Sequence, residues 1–366
     1  MNKLLIATLF AWLQISVTAR ALVRHPQAAP TVGDTTIDAL LGNKEAVEKW
    51  LQMNKVPALG IGIINKGKLV QISVYGELKK GVAAPFNAIF NVASLTKPIV
   101  SMLTLKLVSN GQLSLDEPLY PYWVDPDIKA DKRYQKLTPR IILSHQTGFR
   151  NWRWEYEDGK LHFDFEPGTK FQYSGEGFEY LKKALEVKFK QPLERLADSL
   201  LLTPLGMQDT RFTWNSQMDT LRLAWPHNTE GGLYEPVRRT EASAADDLMT
   251  TVEDYGKFAV AIMNQTYLPA PVFKEMVHSR AEMKEHKHMG LGWQVYTHLD
   301  AKGSYAISHG GSDKGTQARV FLVPASGDGL IMITNGDNGP KLYKDLLFHY
   351  LGHYGQSIFA IETKPE

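Results

Sequence analysis

The sequence predicts an α+β fold: one antiparallel sheet built from both ends of the chain, flanked by helices, with a helical insertion beside it. Three observations carry this. A hairpin signal occupies 59–75, four strand-like runs return after residue 290, and between them the pattern is of helices, loops and aromatic-rich turns. Strands at both ends with helices between pack most simply as a single sheet.

Asn2-Lys3, the apolar run Leu4 to Val17 and the small residues Val17-Thr18-Ala19 and Ala19-Arg20-Ala21 have the order of a secretory signal peptide, residues 1–21. Residues 22–36 carry Pro26 and Pro30 without periodicity and are expected to be a linker. The domain proper is expected over 37–353. Helical spacing runs from Ile37 to Asn54 through Leu40, Leu41, Val47, Trp50 and Leu51. Leu59 to Ile64 and Lys68 to Tyr75 then flank Asn65-Lys66-Gly67, the hairpin signal.

Ile99 to Val108 is apolar on nearly every side, so its helix is expected to be central, ending at Asn110-Gly111. A helical subdomain covers about 100–245. Thr250-x-x-Glu253 is a capping-box pattern. Strands are expected at Leu291 to Thr297, Tyr305 to His309, Thr316 to Val323 and Leu330 to Thr334. A last amphipathic helix follows through Leu342, Leu346, Leu347 and Tyr350, and then a tail over 354–366.

Composition narrows the function. There are 41 Lys and Arg against 39 Asp and Glu; removing residues 1–21 takes Lys3 and Arg20 and leaves the mature chain close to neutral. No large basic footprint for nucleic acid is present. With no Cys there are no disulfides, cysteine metal sites or cysteine lipid anchors. Once the signal is removed, no stable membrane span is expected.

Ser94-Leu95-Thr96-Lys97 places a hydroxyl and an amine three residues apart, just before the apolar run. On a helix, residues i and i+3 share a face. A serine hydroxyl needs a nearby base to become a nucleophile, and burial favours a lysine's neutral form. Two further patches follow in order: Pro167 to Gly175, containing Tyr173-Ser174-Gly175, and Ser308-His309-Gly310-Gly311-Ser312. Together the three resemble the S-x-x-K, Tyr/Ser-centred and K-T-G-like motifs of penicillin-recognising serine hydrolases, most closely the class C β-lactamase family with its esterase and peptidase relatives. Leu137 to Phe149 and Leu248 to Tyr255 resemble that family's segments between the motifs, and the likeness runs from about Ala39 to Leu351.

The resemblance implies a β-lactamase/transpeptidase-like fold and a serine hydrolase working through an acyl-enzyme. Ser94 is the implied nucleophile, Lys97 and Tyr173 its proton carriers, and the N–H groups of Ser94 and Ser312 its oxyanion donors. No metal and no cofactor is implied; the substrate is a small molecule or peptide with an ester or amide bond. Two departures stand out. Gly175 occupies the place of an Asn, removing an amide donor, although Glu176 follows. His309-Gly310-Gly311 replaces Lys-Thr-Gly, so His309 is expected either to hold a substrate carboxylate when protonated or to bond the Tyr173 phenol. These favour an esterase or peptidase over a β-lactamase or D-Ala-D-Ala carboxypeptidase, and the signal peptide implies an exported, periplasmic or secreted, protein. A catalytically silent peptidoglycan- or peptide-binding protein is the rival from another class. Outside the motifs, His145 is expected to be structural, Trp152 to Tyr156 to line the cleft or pack the insertion, and His286-Lys287-His288 and His349-x-x-x-His353 to be weak metal candidates.

Overall fold

The computed structural model describes residues 40–216 and 218–365; the expected signal peptide and linker lie outside the described residues. Helix α1 (Lys44–Asn54) leads into β1 (Ala58–Asn65) and β2 (Lys68–Lys79), joined by a tight turn at Lys66 and Gly67, both with positive φ. That turn twists with the strands and gives the register Asn65↔Lys68. A two-residue strand, β3 (Val82–Ala83), ends this edge. A second, minimal ladder joins β4 (Phe90–Asn91) to β5 (Met249–Thr250).

Between β4 and β5 lie α2 (Thr96–Ser109), α3 (Pro139–Leu143), α4 (Gly175–Phe189) and α5 (Leu193–Ala197), with much loop. Helix α2 is buried at eleven of its fourteen positions, as its all-round apolar pattern requires. Pro98 sits in its first turn, where the missing N–H costs nothing. Helix α6 (Val252–Met263) starts one residue later than its capping-box pattern suggested. Thr251 is the cap, accepting the Asp254 N–H.

After α7 (Ala270–Val277) the remaining strands are β6 (Ala281–Lys284), β7 (Lys287–Met289), β8 (Gln294–Tyr296), β9 (Ala306–Asp313), β10 (Thr316–Val323) and β11 (Asp328–Thr334). The nine-stranded sheet runs β3-β2-β1-β11-β10-β9-β8-β7-β6, every pair antiparallel. The first and last strands of the domain meet at β1 and β11, where Leu59↔Thr334 begins a six-residue ladder. One face carries the larger core, with α2 and α6; the other packs α1 and the final helix, α8 (Tyr343–Thr363), through Trp50, Leu51, Leu346, Ile358 and their neighbours.

Residues beyond 353, expected as a tail, continue α8 instead, with Ile358 and Ile361 buried. Gly352 interrupts the helix (φ 52, ψ −127). His349 and His353 therefore do not share a helical face, as a metal pair at this spacing requires. Among the described residues no helix is long and apolar enough to cross a membrane.

Candidate active site

The Ser94 turn is a single 3-10 turn, Ala93–Leu95, feeding directly into α2. Ala93 has φ +46, an unfavourable conformation for a residue with a Cβ. Such strain persists where surroundings over-determine it, and here they do. Asn91 accepts the Ala93 N–H at 2.8 Å, the Thr96 hydroxyl donates to the Ala93 carbonyl at 2.7 Å, and Leu248 N–H donates to Thr96 Oγ1 at 3.0 Å. The buried Tyr255 hydroxyl donates to the Leu95 carbonyl.

Lys97 is fully buried. Its Nζ donates to Ser94 Oγ at 2.9 Å and to the Ala245 carbonyl at 2.9 Å. The i, i+3 geometry inferred from sequence is thus realised across the junction of turn and helix. The Ala245 carbonyl is held by α4. Ser243 Oγ and the Ala244 N–H both donate to Glu179, which also pairs with Lys182 at 2.6 Å. Burial opposes ionisation of Glu179, but Lys182 and these hydrogen bonds outweigh it and hold its carboxyl below the usual range.

Tyr173 approaches the dyad with its ring: Lys97 Nζ lies 4.7 Å from the ring centroid. His145 stacks on the same ring at 4.3 Å with planes 26° apart, and accepts the Ser174 N–H through Nδ1 at 3.0 Å. Ser174 caps α4, accepting the Gly177 N–H at 3.0 Å. His145 is structural, as expected, yet it belongs to the site because it fixes Tyr173. Its stacking role had no local signal; residues 145 and 173 meet only through the fold.

Glu176 does not enter the cleft. It is buried and pairs with Arg153 at 2.7 Å, which also reaches Asp125 and Asp127. Gly175 is constrained by Trp152: a Cβ there would lie 2.9 Å from the indole. Trp152 in turn stacks on Trp154 at 4.8 Å.

Strand β9 closes the site. Beyond Ser308 its edge has no partner in β8, whose ladder ends at Gln294↔Ser308. The Ser94 turn packs against this stretch, and a Cβ on Gly311 would lie 2.0 Å from the Val92 carbonyl. Glycine is required by close approach. On the other face, a Cβ on Gly310 would meet the Arg319 guanidinium at 2.8 Å. Ser312 is exposed, its hydroxyl accepting from Gln317 at 2.9 Å.

His309 departs from both expected roles. It is fully buried, with Nδ1 2.7 Å from the Gly310 carbonyl and Nε2 unpartnered. A carbonyl only accepts, so Nδ1 carries the proton and Nε2 offers a lone pair. Burial, helped by the Lys97 charge, pushes the imidazole down to about 3. A neutral ring cannot pair with a carboxylate. Nor does it bond Tyr173, whose ring centroid is 6.2 Å away.

Three carboxylates the motifs did not reveal, Asp246, Asp247 and Asp313, approach within 4.8 Å of one another beside the Ala245 carbonyl. Asp247 pairs with Arg239 and accepts from Asn91 at 2.9 Å. Burial first, then the Asp247 carboxylate, raises Asp246 to about 7.

A half-buried serine on a buried lysine beneath a tyrosine, facing a free strand edge on an α/β frame, is the arrangement of a serine hydrolase. The sequence matches the Beta-lactamase family over residues 37–351, and the chain belongs to that family. Esterase EstB of Burkholderia gladioli is 30% identical over 42% of this chain and 44% of its own length. Penicillin-binding protein 4 of Amycolatopsis lactamdurans is 23% identical, over 85% of this chain and 90% of its own length. A beta-lactamase of Pseudomonas fluorescens is likewise 23% identical, over 79% and 91%. Among solved structures, D-alanine carboxypeptidase AmpC from Burkholderia cenocepacia superposes with a TM-score of 0.69 at 20% identity, covering 86% of this chain and 99% of that one. The octameric penicillin-binding protein homologue from Pyrococcus abyssi gives 0.70 at 19%, covering 88% and 76%. These structures agree with the fold described above. The protein is a serine hydrolase.

Proposed function

We propose that this protein is an exported esterase that hydrolyses small carboxylic esters through an acyl-Ser94 intermediate. Ser94 Oγ attacks the carbonyl while its proton passes to Lys97 or Tyr173. The N–H groups of Ser94 and Ser312 hold the oxyanion. The C–O bond to the alcohol breaks, and the alcohol leaves with that proton. Water then attacks the acyl-enzyme by the same path, releasing the acid and restoring Ser94. One observation carries the preference for esters: the β9 residue facing the Tyr173 side is His309, buried and neutral, so it supplies no cation for a substrate carboxylate. Simple esters need none. A cavity of about 270 Å³, lined by Asn91, Trp214, Leu223, Tyr234, Met249 and Asp313, lies near the end of β9, and its lining does not include Ser94, Lys97 or Tyr173. Export rests on the order of residues 1–21.

The test is covalent labelling by a fluorophosphonate, followed by a panel of p-nitrophenyl esters, nitrocefin and a D-Ala-D-Ala peptide on one preparation. Labelling in the wild type, its loss in Ser94→Ala, and higher kcat/KM on esters than on the other two support the reading. Nitrocefin or peptide turnover exceeding ester turnover overturns the substrate class, and labelling that survives Ser94→Ala overturns the mechanism.

A further inference from the structure

We propose that Trp152 sets the selectivity of this site, its indole standing in for a side chain at residue 175 and presenting a flat apolar wall to a ring-bearing or otherwise apolar ester. The inference rests on the esterase reading above. Ser174 is extended (φ −144, ψ 116), so residues 173 and 175 project to the same side of the chain. That is the side on which Tyr173 meets Lys97. At 175 there is no side chain, and the indole edge fills the space, with three ring carbons 2.9 to 3.0 Å from where a Cβ would stand.

The aromatic wall is firmly mounted. Between the two indoles, Arg153 is anchored to Asp125, Asp127 and Glu176, and its own N–H donates to Glu176 Oε1 at 3.1 Å. Asn151 accepts the Gly175 N–H through Oδ1 at 2.8 Å, tying the segment to the start of α4. Trp154 nevertheless stays 68% exposed while stacked on Trp152. A rigid, partly uncovered aromatic surface next to the catalytic tyrosine favours flat apolar groups, and it offers them no amide donor.

The test compares p-nitrophenyl acetate with p-nitrophenyl phenylacetate, and p-nitrophenyl acetate with ethyl acetate, so that the ring is varied on the acyl side and then on the alcohol side. In Trp152→Ala the kcat/KM preference for the ring-bearing ester should fall about tenfold in one of the two comparisons, and Trp152→Phe should restore most of it. Unchanged ratios in Trp152→Ala, with wild-type protein still labelled by fluorophosphonate, overturn this inference alone; an unlabelled wild type brings down the esterase reading with it. A second measurement covers a misfolded variant. Gly175→Asn should lower Tm in the wild-type background and lower it much less alongside Trp152→Ala. Equal losses in both backgrounds overturn the claim that the indole occupies the place of residue 175.

Discussion

The imidazole of His145 lies 4.3 Å from the ring of Tyr173, centroid to centroid, and its Nδ1 accepts the N–H of the residue that follows, Ser174. One side chain therefore fixes both the plane of the Tyr173 phenol and the backbone that carries it. An aromatic pair contributes about 0.5–1.5 kcal/mol beyond its buried area. A buried N–H left without a partner costs about 1–3 kcal/mol. His145→Ala loses both and should be destabilised by about 2–4 kcal/mol in urea unfolding, with kcat falling more than KM rises. His145→Phe keeps the stacked ring and loses only the acceptor, so it should retain more stability. Equal stability of the two variants would show that the stacking contributes nothing.

Stability should fall on acidification below about pH 6.5. Burial holds His309 down at about 3 and His145 well below its ordinary value, and the Lys97 charge pushes both the same way. In the unfolded chain each titrates near 6.5. Between those values the unfolded state binds more protons, so unfolding becomes easier as pH drops, by up to about 1.4 kcal/mol per pH unit for each histidine. Asp246 works in the opposite direction. Raised to about 7, it keeps its proton in the folded state where the unfolded chain has lost it, and it opposes part of the histidine effect. His309→Asn should flatten the decline of Tm between pH 6.5 and 4. A slope identical to wild type would show that His309 takes up its proton without unfolding the site.

Asp246 should also shape the pH–rate profile. Its residue directly follows Ala245, whose carbonyl receives the Lys97 Nζ hydrogen bond. Facing it are Asp247, already paired with Arg239, the exposed Asp313, and Lys97. Above about pH 7 its carboxylate forms and adds a negative charge beside the Ser94–Lys97 pair, which opposes loss of the Ser94 proton in the proposed mechanism. Asp246→Asn should therefore move the rising limb of kcat/KM to lower pH. A limb that stays in place, or moves upward, would show that Asp246 does not act on the dyad.

Gly311→Ala should remove most activity. Its Cβ has no room against the Val92 carbonyl, so either β9 or the Ser94 turn must move. A 1 Å displacement of reacting groups can cost about a hundredfold in rate. Thermal unfolding and fluorophosphonate labelling distinguish a misplaced turn from an unfolded protein; near-wild-type labelling would show that the contact is not needed.

Much of this was legible in the sequence, for identifiable reasons. The hairpin at 59–75 declared itself through its turn residues, and β10 falls at Thr316–Val323, the run read from its bounding turn residues. Ser94 and Lys97 could be paired because three residues on a helix fix their geometry. Strands β6 and β7 were missed. At four and three residues they are too short to show a period, and their charged residues, such as Lys284 and Lys287, face partners on α8 that no local pattern reveals. His309 was misjudged because the sequence shows its ring and not its burial. Trp152 and Gly175 are twenty-three residues apart, and their fit exists only after folding.

The locks on the Ser94 turn come from widely separated stretches of chain: Asn91 nearby, Leu248 and Tyr255 some 150 residues on, Gly311 more than 200 residues on. Ala93 holds a disfavoured backbone angle only while all of them are in place. A chain emerging from its N-terminus would thus carry Ser94 and Lys97 long before it could use them. Contacts of such separation form late in folding, because loop closure must precede them. Hydrolysis by this protein should accordingly register the last step of assembly, and a partly folded chain should be chemically silent however much helix it has gained.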